Sequence, residues 1–229
     1  MLQANIKKYQ SFFLYKQVIH MKYKNRTKFI PVIIFVFFMI ISLTGCSSSL
    51  QVLTVNYYIG NNSPVNNNPS VSIEAVDERL SEGTLSNNVK GLFPDWKEMI
   101  SLKISRDFEE AKLEGIFQPK DMLARAIEKK FSEAGFHFDQ RYSGIPIFRV
   151  ILEQMQLDII NHTWIATVRY RVELHVDSHT VYTRTVNGKA EKTRIAGRKG
   201  ADEVLSQAVT EAVNALDPER IHMALTENI

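Results

Sequence analysis

Between Trp164 and Val176 every second residue is apolar, and Thr, Arg, Glu and His fill most positions in between. Successive side chains of a strand point to opposite faces, so this segment predicts a long strand with one buried face and one wetted face. A sheet of that kind is typical of an antiparallel arrangement that has helices on one side only. The segment therefore favours an α+β fold over an all-helical one.

Other segments supply partners for that strand. The apolar positions between Phe148 and Ile159 change parity near Glu153, which predicts a bulge. Asn187-Gly188 is compatible with a hairpin turn or with one long strand kinked or bulged at Gly188, and we favour the long strand because hairpin arms would be too short for their neighbour. Turns are expected at 161–162 and 177–179. The strands predicted around them are Val71 to Asp77, Met99 to Ser105, Phe148 to Ile159 and Thr180 to Arg194.

Two amphipathic helices are expected, from Pro119 to Ala134 and from Ala201 to Leu216. Each has apolar residues at spacings of three and four, which form one stripe along a helix. Asp217-Pro218 ends the second helix and starts a short third one. The predicted fold class is α+β, with a mostly antiparallel twisted sheet of about four to six strands and the two main helices packed on one face.

The N-terminal region predicts a bacterial lipoprotein signal. Leu43-Thr44-Gly45 precedes Cys46, the single cysteine of the chain, and follows an uncharged apolar run that begins at Phe29. A basic stretch lies before that run if synthesis starts at Met21, so residues 1 to 20 are interpreted as a start-site extension. The alternative, a retained transmembrane anchor, is disfavoured because the run is shorter than the ~20 residues a spanning helix needs and contains Pro31.

The predicted organisation has three parts. Residues 1–45 are the start-site extension and signal peptide, 46–69 are the lipid anchor and an Asn/Ser/Pro-rich tether, and 70–229 are one periplasm-facing α+β domain. Within the tether, Gln51 to Ile59 is rich in β-formers and is left open as a strand that joins the sheet. Acyl chains on Cys46 would hold the protein at the membrane. Ser47 in place of Asp after the cysteine favours the outer membrane.

The charge of the mature part argues against nucleic acid as a partner. Residues 1–46 contain seven of the 28 Lys and Arg and no acidic residue, so 21 basic residues remain against 25 acidic ones. A mildly acidic domain gives no electrostatic basis for binding a nucleic-acid backbone, which needs Lys and Arg clustered on one face. With Cys46 acylated no thiol remains for a disulfide, and we expect a monomeric domain without a cofactor.

The sequence contains little that indicates chemistry. His175, Asp177 and His179 are weak candidates for a metal site, because a turn breaks their alignment and no fourth ligand is evident. No nucleophile motif is present, so no catalytic residue is assigned and no enzyme is expected. The wetted face of the long strand is the expected binding surface, and its residues are Ile165, Thr167, Arg169 and Arg171.

The order of these features resembles the YajG-type bacterial lipoproteins. The stretch from Phe108 to Gln118 departs from that family. The shared features are the lipobox, the Asn-rich tether and the short motifs Asp77-Glu78-Arg79, Ser105-Arg106-Asp107, Ala134-Gly135-Phe136, Val168-Arg169-Tyr170 and Ala201-Asp202-Glu203-Val204. The resemblance implies a periplasm-facing α+β domain on the outer membrane and supplies no catalytic residue. The expected function is a lipid-anchored envelope protein with a non-catalytic binding or structural role. The alternative is an accessory lipoprotein of an envelope transport or lipid-trafficking machine.

Overall fold

The computed structural model describes residues 51–60, 64–65, 68–80, 83–106, 109–139 and 144–228. The predicted signal peptide, the lipobox 43–45 and Cys46 lie outside these residues. Within these ranges, the helices are all too short or too polar to cross a bilayer.

The described residues form eight strands and four helices, and they confirm the α+β class. The strands and helices predicted from the sequence are present, the strand left open at Gln51 to Ile59 is present as β1, and α1, β4 and β5 are additional. In chain order the elements are β1 (Gln51–Tyr58), β2 (Ser70–Asp77), α1 (Asn87–Lys90), β3 (Trp96–Ser105), β4 (Lys112–Phe117), α2 (Pro119–Glu133), β5 (His137–Phe138), β6 (Ile147–Ile160), β7 (Thr163–Val176), β8 (His179–Thr193), α3 (Ala201–Asn214) and α4 (Pro218–Thr226).

The strands form two mixed sheets instead of one. A three-stranded sheet has the order β1-β3-β4, and a five-stranded sheet has the order β5-β2-β6-β7-β8. The β1-β3, β2-β5 and β2-β6 pairs are parallel, and the β3-β4, β6-β7 and β7-β8 pairs are antiparallel. A mostly antiparallel single sheet is therefore not confirmed. Alternating apolar residues show which side of a strand is buried, but they do not show the direction of its neighbour.

Both long helices contact strands of both sheets. The rings of Phe131 in α2 and Phe148 in β6 lie 5.3 Å apart, and α2 also packs against β3. The hydroxyl of Tyr170 in β7 donates a hydrogen bond to the carbonyl of Ala212 in α3, 3.0 Å away, and α3 also lies along β1. Two helices on one face of one sheet are thus not confirmed, since the helices bridge two sheets around one shared core.

The long strand β7 has the alternation predicted for it. Its even-numbered residues from Trp164 to Val176 are buried, and its odd-numbered residues are exposed or half-buried. β7 joins its neighbours through two-residue turns at 161–162 and 177–178, where all four residues have positive φ, as type I′ hairpins require. The bulge predicted near Glu153 is confirmed by a register shift against β7 between Leu152 and Gln154.

Gly188 lies inside one continuous strand, opposite Val168, so the long-strand alternative is confirmed and the hairpin is wrong. α3 crosses β8 at this point. A β-carbon added to Gly188 would fall on the carbonyl of Ala208 and 2.8 Å from the β-carbon of Ala212. Glycine is needed here because the helix backbone approaches the strand backbone too closely for a side chain.

Strand β1 shows that residues 51–58 do not belong to a flexible tether. β1 pairs in parallel with β3, and Leu53, Val55 and Tyr57 are buried in the core. Its other edge is covered by α3 through hydrogen bonds from backbone N–H groups to side chains. The bonds run from Thr54 to Asp202, Asn56 to Ser206, Tyr58 to Thr210 and Gly60 to Asn214, at 2.9 to 3.4 Å.

This β1–α3 ladder works because its two spacings match. Four residues of helix rise about 6.0 Å, and two residues of strand rise about 6.6 Å. Side chains at positions i, i+4, i+8 and i+12 of α3 therefore meet every second N–H of β1. An edge strand that would otherwise present unpaired N–H groups is covered in this way.

Among the described residues, Lys130 is a charged residue buried in the core, with 3% of its surface exposed. Its ammonium group donates to the carbonyls of Val213, Asn214 and Leu216 at 3.2, 2.9 and 2.6 Å. These carbonyls lie at the C-terminal end of α3, where a helix lacks internal donors and carries partial negative charge. Burial lowers the pKa of Lys130 from 10.5 to about 8.

Candidate functional site

The edge of β6 that faces β2 is interrupted in its middle. β2 pairs with β6 up to Leu152, whose carbonyl accepts a bond from the N–H of Glu78. Pairing resumes at Leu157, which exchanges backbone bonds with Thr84 and Ser86. Between these points, residues 153–155 of β6 form no ladder on this edge with the described residues, which lack 81–82. The interruption coincides with the bulge at Glu153.

A groove of about 690 Å³ lies over this interruption. Its volume falls within the range of about 300–1,000 Å³ that is typical of ligand sites. The lining is mainly polar and charged, and Leu80 and Met155 are its apolar members. The lining residues are Glu78, Arg79, Leu80, Glu153, Gln154, Met155, Gln156 and Arg169.

Ion pairs fix the charged side chains beside the groove. One carboxylate oxygen of Glu153 forms an ion pair with Arg169 at 2.9 Å, and the other forms one with Arg171 at 3.0 Å. Arg171 also contacts Glu78 at 3.3 Å and Glu173 at 3.1 Å. Arg169 has about half of its side chain exposed. Its guanidinium can therefore reach a bound partner without giving up its position on Glu153.

A second cluster holds the chain that leaves β2. The guanidinium of Arg79 forms hydrogen bonds with both carboxylate oxygens of Asp77, at 2.9 and 2.8 Å, and with the hydroxyl of Thr84. The bonds from Arg79 lower the pKa of Asp77. The cluster therefore joins Asp77, at the end of β2, to Thr84, beside which pairing with β6 resumes.

The expected binding surface occupies one face of β7, as the alternation required. Arg169 lines the groove, and Arg171 lies behind it in the ion-pair network. Ile165 and Thr167 continue along the same face, opposite Asp158 and Gln156 of β6. Alternation identified this face, but the groove residues 78–80 and 153–156 were missed because the interruption arises from pairing between distant parts of the chain. The role of these residues stays a prediction.

The structure does not bring His175, Asp177 and His179 together as metal ligands. The imidazole of His175 contacts the Glu173 carboxylate and the Thr180 hydroxyl, each at 3.1 Å. The imidazole of His179 lies 3.0 Å from the carbonyl of Asp177. Within the part of the chain that the structure describes, no three His, Cys, Asp or Glu side chains form a metal-ligand cluster.

Comparison with known proteins gives remote structural likenesses. No family model matches the chain, and no curated protein matches it in sequence. A DUF330 protein from Xanthomonas campestris superposes with a TM-score of 0.43 at 14% identity, over 76% of this chain and 98% of that one. A neuraminyllactose-binding hemagglutinin homologue from Helicobacter pylori gives 0.42 at 9% identity, over 73% and 95% of the chains.

The lipoprotein GNA1162 from Neisseria meningitidis gives a TM-score of 0.33 at 9% identity, over 65% of this chain and 99% of that one. These neighbours include one bacterial lipoprotein and one protein of a DUF330 family. At such TM-scores they establish neither a shared fold nor a shared function. The resemblance to YajG-type lipoproteins stays a prediction from the sequence.

Proposed function

We propose that this chain is a lipid-anchored lipoprotein of the YajG type at the outer membrane, and that its periplasm-facing domain binds a segment of another envelope protein without catalysing a reaction. The observation that carries the binding role is the interrupted edge of β6. The β2–β6 pairing ends at Leu152, directly before the bulge at Glu153 and beside the groove, and an extended peptide can add to a strand where its pairing is interrupted in this way.

The lining of the groove favours a polypeptide over a lipid. Six of its eight residues are polar or charged, and an acyl chain would remove water from those groups without offering them a hydrogen bond. An extended peptide can bond to the backbone of 153–155 and place a carboxylate or amide near Arg169. The same lining disfavours the alternative of lipid trafficking, which needs an apolar groove.

We propose no catalysed reaction because the charged groups of the groove form ion pairs with one another. Arg169, Arg171 and Glu153 bind one another, and Arg79 binds Asp77. Ion pairs of this kind hold a surface in shape, whereas a catalytic base needs a nucleophile or a substrate proton within hydrogen-bond reach. The domain is proposed to act as a monomer, without a metal, cofactor or nucleic acid.

Photocrosslinking in living cells tests the proposal. A photoreactive amino acid at Gln154, inside the groove, should give a discrete protein adduct. The same amino acid at Thr185, which is exposed on β8 and lies outside the groove, should not give that adduct. Arg169→Glu should weaken the Gln154 adduct, because it replaces the accessible cation with an anion.

Equal adducts at Gln154 and Thr185 would count against a binding role for the groove. A lipid adduct at Gln154 in place of a protein adduct would move the function to the lipid-trafficking alternative.

A further inference from the structure

The chain enters the described domain at the end where α3 begins. Gln51, the first described residue, pairs with Trp96 at the start of β3. Three residues later, the N–H of Thr54 bonds to Asp202 in the first turn of α3. We call this end of the domain, where β1, β3 and α3 all start, the entry end.

The loop between β8 and α3 lies at the entry end and is basic. It contains Arg194, Arg198 and Lys199, and residues 195–199 are all exposed. Ile195 is the most exposed large apolar residue of this loop, with 76% of its surface accessible. Ile160, at the neighbouring β6–β7 turn, is 48% exposed. Apolar side chains are thus presented to solvent among cations.

The basic loop is held in place by the entry end itself. The indole N–H of Trp164 donates to the carbonyl of Lys199 at 3.0 Å, and the N–H of Arg194 donates to the carbonyl of His162 at 2.8 Å. The guanidinium of Arg194 lies 5.9 Å from the centre of the Trp164 ring, and that of Arg198 lies 5.4 Å from the Phe93 ring. Aromatic rings therefore support both arginines from the side of the domain.

The carboxylates around this loop do not neutralise it. Among the described residues, no carboxylate forms an ion pair with Arg194, Arg198 or Lys199. Asp202 accepts a hydrogen bond from the Thr54 N–H, and burial raises the pKa of its carboxyl although Arg198 attracts it without forming an ion pair. Glu203 pairs with Lys192, and Asp158 receives bonds from Ser86 and Asn88. Asp95 and Lys97, on either side of Trp96, carry opposite formal charges and add none in sum.

We propose that the entry end is a membrane-facing surface, with Ile160 and Ile195 in the headgroup region and Arg194, Arg198 and Lys199 on the phosphates of anionic phospholipids. The inference rests on the proposed acylation of Cys46. The leaflet that holds the acyl chains is the partner, because basic residues next to a lipid anchor add attraction to anionic headgroups.

The length of the link supports this orientation. Because β1 starts at Gln51, five peptide steps separate it from Cys46, and they span at most about 18 Å when fully extended. A tether through residue 69 would have left the domain free to turn any side toward the bilayer. A link of four residues, 47–50, keeps the entry end within this distance of the lipid surface.

Site-specific fluorescence on the full acylated chain tests the inference. Once Cys46 is acylated, a cysteine introduced at Ile195 is the single free thiol and can carry an environment-sensitive dye. The matched control is His179→Cys, at the opposite end of β7 and roughly 40 Å away. Both proteins are reconstituted into phosphatidylethanolamine vesicles with or without phosphatidylglycerol.

With phosphatidylglycerol present, the dye at 195 should emit at shorter wavelength and be quenched by a lipid-attached nitroxide, and the dye at 179 should do neither. Adding Arg198→Gln and Lys199→Gln should remove the phosphatidylglycerol dependence at 195, whereas Lys112→Gln, on β4, should preserve it. Equal spectra at 195 and 179 in an acylated, vesicle-bound protein would overturn this orientation alone. Mass spectrometry that finds no acyl chain on Cys46 would overturn the anchor as well.

Discussion

The ammonium group of Lys130 lies 2.6 Å from the carbonyl oxygen of Leu216. Lys130 belongs to α2, so its side chain caps the C-terminal end of a different helix, α3. Val213 and Asn214 supply two further acceptors. A helix is commonly ended by a glycine that follows it, whereas α3 is ended by a lysine 83 to 86 residues earlier in the chain. This contact fixes α2 against the C-terminal end of α3.

Lys130→Met should change how stability depends on pH. Burial lowers the pKa of Lys130 to about 8 from 10.5, so between these values the unfolded chain holds a proton that the folded chain has released. The free energy of unfolding of the wild type should therefore rise between pH 8 and pH 10, by about 2 kcal/mol. Above pH 10 the buried Tyr57 and Tyr170, whose pKa values are raised, act in the opposite direction. Urea melts across this range should show the rise in wild type and lose it in the variant, and parallel curves would contradict the prediction.

Gly188→Ala should destabilise the fold, because its methyl group would overlap the backbone of α3 at Ala208. We expect a loss of at least about 2 kcal/mol, since neither backbone can move without breaking the sheet or the helix. Gly91→Ala is the matched control: Gly91 has helical φ and ψ, and open space surrounds it. Thermal melts should leave the control within about 0.5 kcal/mol of wild type.

Val172→Asp tests which face of β7 is buried. Val172 is fully buried on the core face, so an unpaired carboxylate there should cost at least about 3 kcal/mol. Thr185→Asp places the same carboxylate on the exposed face of β8, opposite Arg171. That change should stay within about 0.5 kcal/mol. Similar losses of stability in chemical melts of both variants would rule out the assignment of faces.

Ser206→Ala should loosen the β1–α3 ladder. The Ser206 hydroxyl accepts the N–H of Asn56 at 2.9 Å, and without it that amide has no partner on the helix side. The expected loss is about 1 kcal/mol. Hydrogen exchange of the Asn56 amide should accelerate, while the amide of Val172 in the centre of the other sheet should keep its rate relative to global unfolding. Unchanged exchange at Asn56 would mean that the bond contributes nothing.

Cys46→Ala should abolish incorporation of labelled fatty acid and leave either an unprocessed precursor or a protein that is released from the membrane. Acylation requires the thiol, and the chain has one cysteine. Labelling in cells, followed by membrane fractionation, measures both outcomes. Label that survives in the variant would refute the interpretation of the N-terminal region.

Local patterns were sufficient for β6, β7, β8, α2 and α3. Each of these elements is long, and its apolar period is unbroken or shifts once, at Glu153. β1 was left open because its neighbours in sequence are Asn, Ser and Pro, although its buried residues form part of the core. β4 was missed because Gly115 and a register shift between Leu102 and Lys103 of its partner break the alternation over only six residues.

The groove and the parallel pairings could not be predicted from local patterns. The groove exists because β2 leaves β6 after Leu152 and the chain returns at Leu157, a relationship between segments about 70 residues apart. The burial of Lys130 could not be predicted from local patterns either. A lysine among charged neighbours on a helix usually faces water, and here a second helix end lies over it. Only the tertiary arrangement determines such burial.

The β1–α3 ladder joins the first described strand to the last long helix, across about 150 residues of chain. A chain is synthesised from its N-terminus, so β1 exists long before the side chains that cover its edge. Until residue 210 has emerged, the N–H groups of Thr54, Asn56 and Tyr58 are not all covered by α3 and can pair with other strands. Contacts of such long range also slow folding. A chain shortened before α3 would therefore retain a pairing edge beside its predicted membrane anchor, where neighbouring copies are concentrated.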